Sequence, residues 1–100
     1  MKYEGDIQYS YQIKQSTFCK YVLIAPNKAV ELNFPQMLEL RRKINGLTTY
    51  NALSEILNSH NFVLLFVADR QHLIYLDIPQ LLKLKEEIAS FFQDFNTVSA

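Results

Sequence analysis

From Ile7 to Ile13 the chain alternates, with Ile7, Tyr9, Tyr11 and Ile13 on one side and Asp6, Gln8, Ser10, Gln12 and Lys14 on the other. Such a period of two predicts a half-buried antiparallel strand, and Gln15, Ser16 and Thr17 are a polar break suited to a hairpin. Phe18 to Ala25 then reads as a strand, Pro26-Asn27 as a turn and Ala29 to Leu32 as the return strand. A helix follows: Asn33 is placed to cap it, Pro35 falls in its first turn, Gln36 completes a capping box, and Met37, Leu40, Ile44 and Leu47 make its apolar stripe. Asn45-Gly46 suits its end. Ala52, Leu53, Ile56 and Leu57 stand at helical spacing and predict a short second helix, capped by Thr49 or Asn51.

The pattern then recurs. Phe62 to Ala68 reads as a strand, Asp69-Arg70-Gln71 as the turn and His72 to Leu76 as the return strand; Asp77-Ile-Pro-Gln80 repeats the capping signal. Leu81, Leu84, Ile88, Phe91, Phe92 and Phe95 supply the second stripe. Aligned without gaps at an offset of 44, residues 18–44 and 62–88 share seven identities: Phe18/Phe62, Leu32/Leu76, Pro35/Pro79, Gln36/Gln80, Leu38/Leu82, Leu40/Leu84 and Ile44/Ile88. A supersecondary unit used twice is the natural reading. The expected fold is α+β: duplicated ββα units forming an antiparallel sheet of about five strands, with helices packed on one face. It is a single domain over 1–100, with an N-terminal strand over 3–14, one repeat over 18–47, a connecting helix within 48–61 and a second repeat over 62–95. Phe62 to Val67 is apolar on both sides and is expected in the middle of the sheet.

With Val22, Ile24, Ile74 and Leu76 assigned to the helices, Tyr21, Leu23, Leu73 and Tyr75 fall on the opposite face of the sheet. That partly aromatic surface is a candidate interaction site, unless the tyrosine-rich first strand or the short middle helix covers it.

Composition narrows the function by exclusion. Ten basic and ten acidic residues cancel, with a net of +3 over 1–50 and −3 over 51–100, so the chain lacks the broad basic field that a phosphate backbone requires, and nucleic acid is disfavoured as a partner. The longest strongly apolar run, Phe62 to Ala68, is far shorter than the roughly 20 residues of a membrane-spanning helix; no membrane association is expected. One cysteine forms no internal disulfide and fits a reducing, cytoplasmic setting.

Candidate chemistry is sparse. Cys19 in a strand reads as a small buried hydrophobe, since no base or helix N-terminus is near it in sequence. His60 and His72 have neither a carboxylate nor a second histidine at ligand spacing, so no metal site is expected. Gly5 and Gly46 are the only glycines, which excludes a glycine-rich phosphate loop, and no cofactor is expected. Arg41, Arg42 and Lys43 form the one basic run. They are a candidate contact for an anion or an acidic partner, or a solvated face near the end of the helix.

The stretches YVLIAPNKAVELNF, PQMLELRRKI and LIYLDIPQLLKLKEEI resemble a family of short uncharacterised proteins from Bacteroidetes. Members often carry Cys-x-x-Cys before the first hairpin, where this chain has Cys19 alone. The resemblance implies the tandem hairpin and helix scheme but no activity. Taken together, these readings lead to a cytoplasmic interaction or structural domain, homodimeric or bound to an unknown protein partner, without evident catalysis. The alternative is a small-ligand-binding protein or enzyme with a pocket between sheet and helices, lined by Tyr21, Tyr75, Cys19 and His72.

Overall fold

The computed structural model describes residues 11–17 and 20–99. Ile7, Tyr9, Phe18, Cys19 and the side chain of Phe95 lie outside the described residues, as does the expected strand over 3–14 ahead of residue 11. Within them the order is β1 (Gln12–Thr17), β2 (Lys20–Ala25), β3 (Lys28–Asn33), α1 (Phe34–Leu47), α2 (Tyr50–Leu57), β4 (Phe62–Val67), β5 (His72–Asp77) and α3 (Ile78–Ser99). The fold is α+β, and the five strands form two antiparallel sheets, β1-β2-β3 and β4-β5. Among the described residues the strands therefore do not form a single five-stranded sheet, and β4, expected in a sheet interior, has only β5 beside it.

Turn chemistry sets each hairpin. Ala25 pairs with Lys28, leaving Pro26-Asn27 as a two-residue loop. In the second hairpin Val67 pairs with His72, so the loop is Ala68 to Gln71. Ala68, Asp69 and Arg70 there have φ of 56°, 57° and 71°, and the Gln71 amide donates to the Ala68 carbonyl at 3.1 Å. Positive φ at both central residues, Asp69 and Arg70, is the type I′ geometry that matches strand twist. Without glycine, each left-handed residue costs about 1–2 kcal/mol. The polar break at Gln15 to Thr17 is not a break: β1 runs through it, with a register shift between Gln15 and Thr17 of the kind a bulge produces.

The helix starts follow the sequence closely. The Gln36 amide donates to Asn33 Oδ1 at 2.9 Å and the Asn33 amide to Gln36 Oε1 at 2.8 Å. Asp77 and Gln80 repeat the exchange at 2.8 and 3.0 Å. Each box satisfies two backbone donors that a helix start leaves open. Thr49 Oγ1 accepts from the Ala52 amide at 3.2 Å and starts α2. Gly46, in contrast, ends nothing: α1 continues to Leu47, Thr48 follows as the cap, and Gly46 itself does not have positive φ. A Cβ placed on Gly46 meets nothing within 4 Å. Gly46→Ala is therefore expected to stabilise the protein by about 0.5–1 kcal/mol, by removing backbone freedom from the unfolded chain; a denaturant titration with unchanged slope reads this as a higher midpoint.

One hydrophobic core draws on every layer. Leu23, Val30 and Leu32 enter from the first sheet, Ile74 and Leu76 from the second, Met37, Leu40 and Ile44 from α1, and Leu81, Leu84 and Ile88 from α3. Each fully buried side chain of this size contributes about 1.5–3 kcal/mol. The halves are also fastened crosswise. Lys43 Nζ of α1 donates to the Phe66 carbonyl of β4 at 2.9 Å, while the Ile13 amide of β1 donates to Glu87 Oε1 of α3 at 3.4 Å.

Candidate functional site

The sheets differ most on the sides turned away from the core. On β4 and β5 the cross-strand pairs Leu64/Tyr75 and Phe66/Leu73 point outward, with 57%, 49%, 48% and 42% of each residue exposed in that order. Phe62 lies against them, its ring stacked on Tyr75 at 4.9 Å. In β1-β2-β3 the outward side is guarded: Val22 has Lys14 and Glu31 as its cross-strand neighbours, all three on one face. Alternation explains both arrangements, since β3 sets Ala29, Glu31 and Asn33 against the buried Val30 and Leu32, whereas β4 has no polar residue at any position.

Of the expected surface, Leu73 and Tyr75 are exposed, but Tyr21 and Leu23 are not. Tyr21 is 5% and Leu23 0% exposed. The physical reason is register: the two-residue turn pairs Leu23 with Val30 and Tyr21 with Leu32, and cross-strand partners share a face. Val22 and Ile24 take the outward side. Tyr21 instead packs edge-on against Phe91 at 5.1 Å and tilted against Phe34 at 6.4 Å. Leu64 and Phe66 were the residues missed. Their exposure follows from their pairing with Tyr75 and Leu73 on the outward face, and the apolar run by itself does not disclose that register.

Two open clefts separate the halves. One, of about 420 Å³, lies between the start of α1 and the second hairpin loop, with Gln36, Glu39, Lys43, Phe66 and Asp69 on its walls. The other, of about 620 Å³, lies between the first hairpin loop and β5, with Tyr11, Lys28, Leu73, Tyr75 and Asp77. In both, polar groups are tied to structural partners. Gln36 Nε2 donates to Asp69 Oδ2 at 2.7 Å. Tyr11 Oη donates to the Tyr75 carbonyl at 2.6 Å, and Lys28 Nζ to the Leu73 carbonyl at 3.0 Å. Burial pushes the Tyr11 phenol above its ordinary value, and the Asp77 carboxylate adds to this. A phenol held neutral is a donor for a carbonyl and a poor base.

The basic run does not converge on one point. Arg41 lies 4.2 Å above the Phe92 ring, Arg42 holds Glu39 through Nε at 3.1 Å and Nη2 at 2.5 Å, and Lys43 reaches Phe66. The hydrogen bond from Arg42, then the charges of Arg42 and Lys43, keep the Glu39 carboxyl below its ordinary value. His60 is exposed beside Phe62, with ring centres 5.9 Å apart, and His72 begins β5 opposite Val67. Among the described residues no three His, Cys, Asp or Glu side chains gather as metal ligands, and no helix is long and apolar enough to cross a membrane. Tyr75 lines the second of these clefts and Tyr21 lines neither, and Cys19 lies outside the described residues. No family model, curated protein or solved structure matches the chain.

Proposed function

We propose that this protein is a non-enzymatic interaction module of the cytoplasm, and that its contact surface is the outward face of β4 and β5. One observation carries the reading: Leu64, Phe66, Leu73 and Tyr75 are all more than two fifths exposed and adjoin one another across both strands. A contiguous apolar patch on a folded domain marks a place of association, and an unguarded two-stranded sheet left in water invites aggregation. The clefts support a ligand or catalytic reading less well, because Gln36 and Asp69 in one and Tyr11 and Lys28 in the other already have hydrogen-bond partners within the fold.

Repetition supports the architectural side of the reading. Met37/Leu81, Leu40/Leu84 and Ile44/Ile88 are buried alike, both helices start from the same box, and Lys43 and Glu87, at the same offset, each fasten the opposite half. We take the two hairpin and helix blocks as copies of one unit whose outer faces have diverged, the first toward charge and the second toward contact.

An apolar fluorescent probe combined with sedimentation tests the function. Wild type is expected either to associate or to bind the probe through this face, whereas Leu64→Lys does neither and, compared at a dilution where wild type is monomeric, keeps its melting point to within the equivalent of about 0.5 kcal/mol. A monomeric wild type that takes up no more probe than Leu64→Lys would remove the basis for the proposal.

A further inference from the structure

We infer that the outward face of β4 and β5 is covered by the same face of a second copy of this chain, the two hairpins stacking about a twofold axis. The inference rests on the contact surface proposed above and names its occupant. Area is the first argument. The exposed fractions of Leu64, Phe66, Leu73 and Tyr75, applied to large side chains of about 150–250 Å², leave ~400 Å² of apolar surface per copy. A standard interface buries about 800 Å² per partner, a little over half of it non-polar. The patch supplies nearly all the apolar part of one such interface, and the polar ends of the hairpin are available for its rim.

Chemistry is the second argument. None of the four side chains carries charge, so the patch has no feature that selects an acidic or basic partner. A partner bringing charge would have to bury it without a counterion, at a cost of several kcal/mol. An identical face brings none. With ten basic and ten acidic residues the chain has no net charge, so two copies meet without long-range repulsion. Geometry is the third. Two hairpins stacked face to face are a small sandwich, with sheets about 10 Å apart and side chains interdigitated. A twofold operation makes each Leu64 and Tyr75 both contact and target, which is how isologous dimers close without leaving a face to polymerise.

Sedimentation equilibrium of the full chain, from about 1 to 500 µM, tests this together with Leu64→Lys, Leu64→Glu and their equimolar mixture. Wild type is expected to be a dimer that dissociates on dilution. Each charged variant should weaken self-association by at least ~100-fold, because two like charges are then buried in one small apolar interface without a counterion. The mixture should regain a dimer, since Lys then faces Glu. A wild type monomeric throughout overturns the second copy; probe binding abolished by Leu64→Lys then still separates that result from failure of the contact surface itself. A wild-type dimer unaffected by both variants, or a mixture no more associated than its components, also overturns it. Circular dichroism at 1 µM confirms that the variants are folded, and Leu73→Lys serves as the second position if either Leu64 variant is not.

Discussion

Tyr11→Ala is expected to lower stability by about 3–5 kcal/mol, the cost of removing a large buried ring, measured as a fall in the denaturant midpoint at constant slope. Tyr11 is 3% exposed, and its hydroxyl reaches across 64 positions of sequence to the Tyr75 carbonyl at 2.6 Å. It therefore joins the entry to the three-stranded sheet to β5 of the two-stranded one. Tyr11→Phe keeps the ring and loses the hydrogen bond, with an expected cost of about 1 kcal/mol. The pair of variants separates packing from polar contact. A pH series adds a third reading. Burial, and secondarily Asp77, raise the folded phenol's pKa above its usual value, so the fold favours the neutral form. The resulting stability is complete below the unfolded value near 10 and is lost as pH rises through the higher folded value. Wild type should therefore lose stability more steeply than Tyr11→Phe above pH 10. Equal slopes would show that this phenol does not couple to folding.

Leu23→Ala should cost about 2–5 kcal/mol, whereas Leu73→Ala, assigned by sequence to the same outward face, should change the stability of the dilute monomer by about 0.5 kcal/mol or less. The difference is burial: Leu23 is 0% and Leu73 42% exposed. Chemical unfolding of both variants at low micromolar concentration decides it. Similar losses would mean that the first sheet faces the other way.

These two leucines also show where sequence reading ended. Tyr21 to Ile24 is apolar at four successive positions, and such a run has no phase of its own. The phase is written in β3, where Val30 and Leu32 alternate with Ala29, Glu31 and Asn33, and Pro26-Asn27 transmits it across a two-residue loop. Projecting β3 backward places Tyr21 and Leu23 inside. The second hairpin has a four-residue loop, so Lys20, not Phe18, is the structural counterpart of Phe62: each pairs with the capping residue of its own unit, Asn33 or Asp77. A gapless comparison slides the leading strands by two positions. Because strands repeat every two residues, that slip preserves the inward and outward sets and leaves no trace in hydrophobicity.

Helices were legible for the opposite reason. Asn33 with Gln36 and Asp77 with Gln80 are local signals, complete within four residues, and stripes such as Met37, Leu40 and Ile44 span enough turns to fix a face. The division into two sheets was not legible, since it depends on which strand edges meet. Nor was the outward exposure of Leu64 and Phe66, which follows from their register opposite Tyr75 and Leu73. Gly46 misled because glycine ends a helix only where the backbone turns left-handed, and here it does not.

The reciprocal lacing of Lys43 onto Phe66 and Glu87 onto Ile13 bears on how the molecule comes apart. Neither hairpin with its own helix owns a whole interior, and each borrows its lid from the neighbour. Heating should accordingly melt the polypeptide in one step, with no surviving half, and a nick in the segment after α2 would yield two pieces that hold their shape only in each other's company.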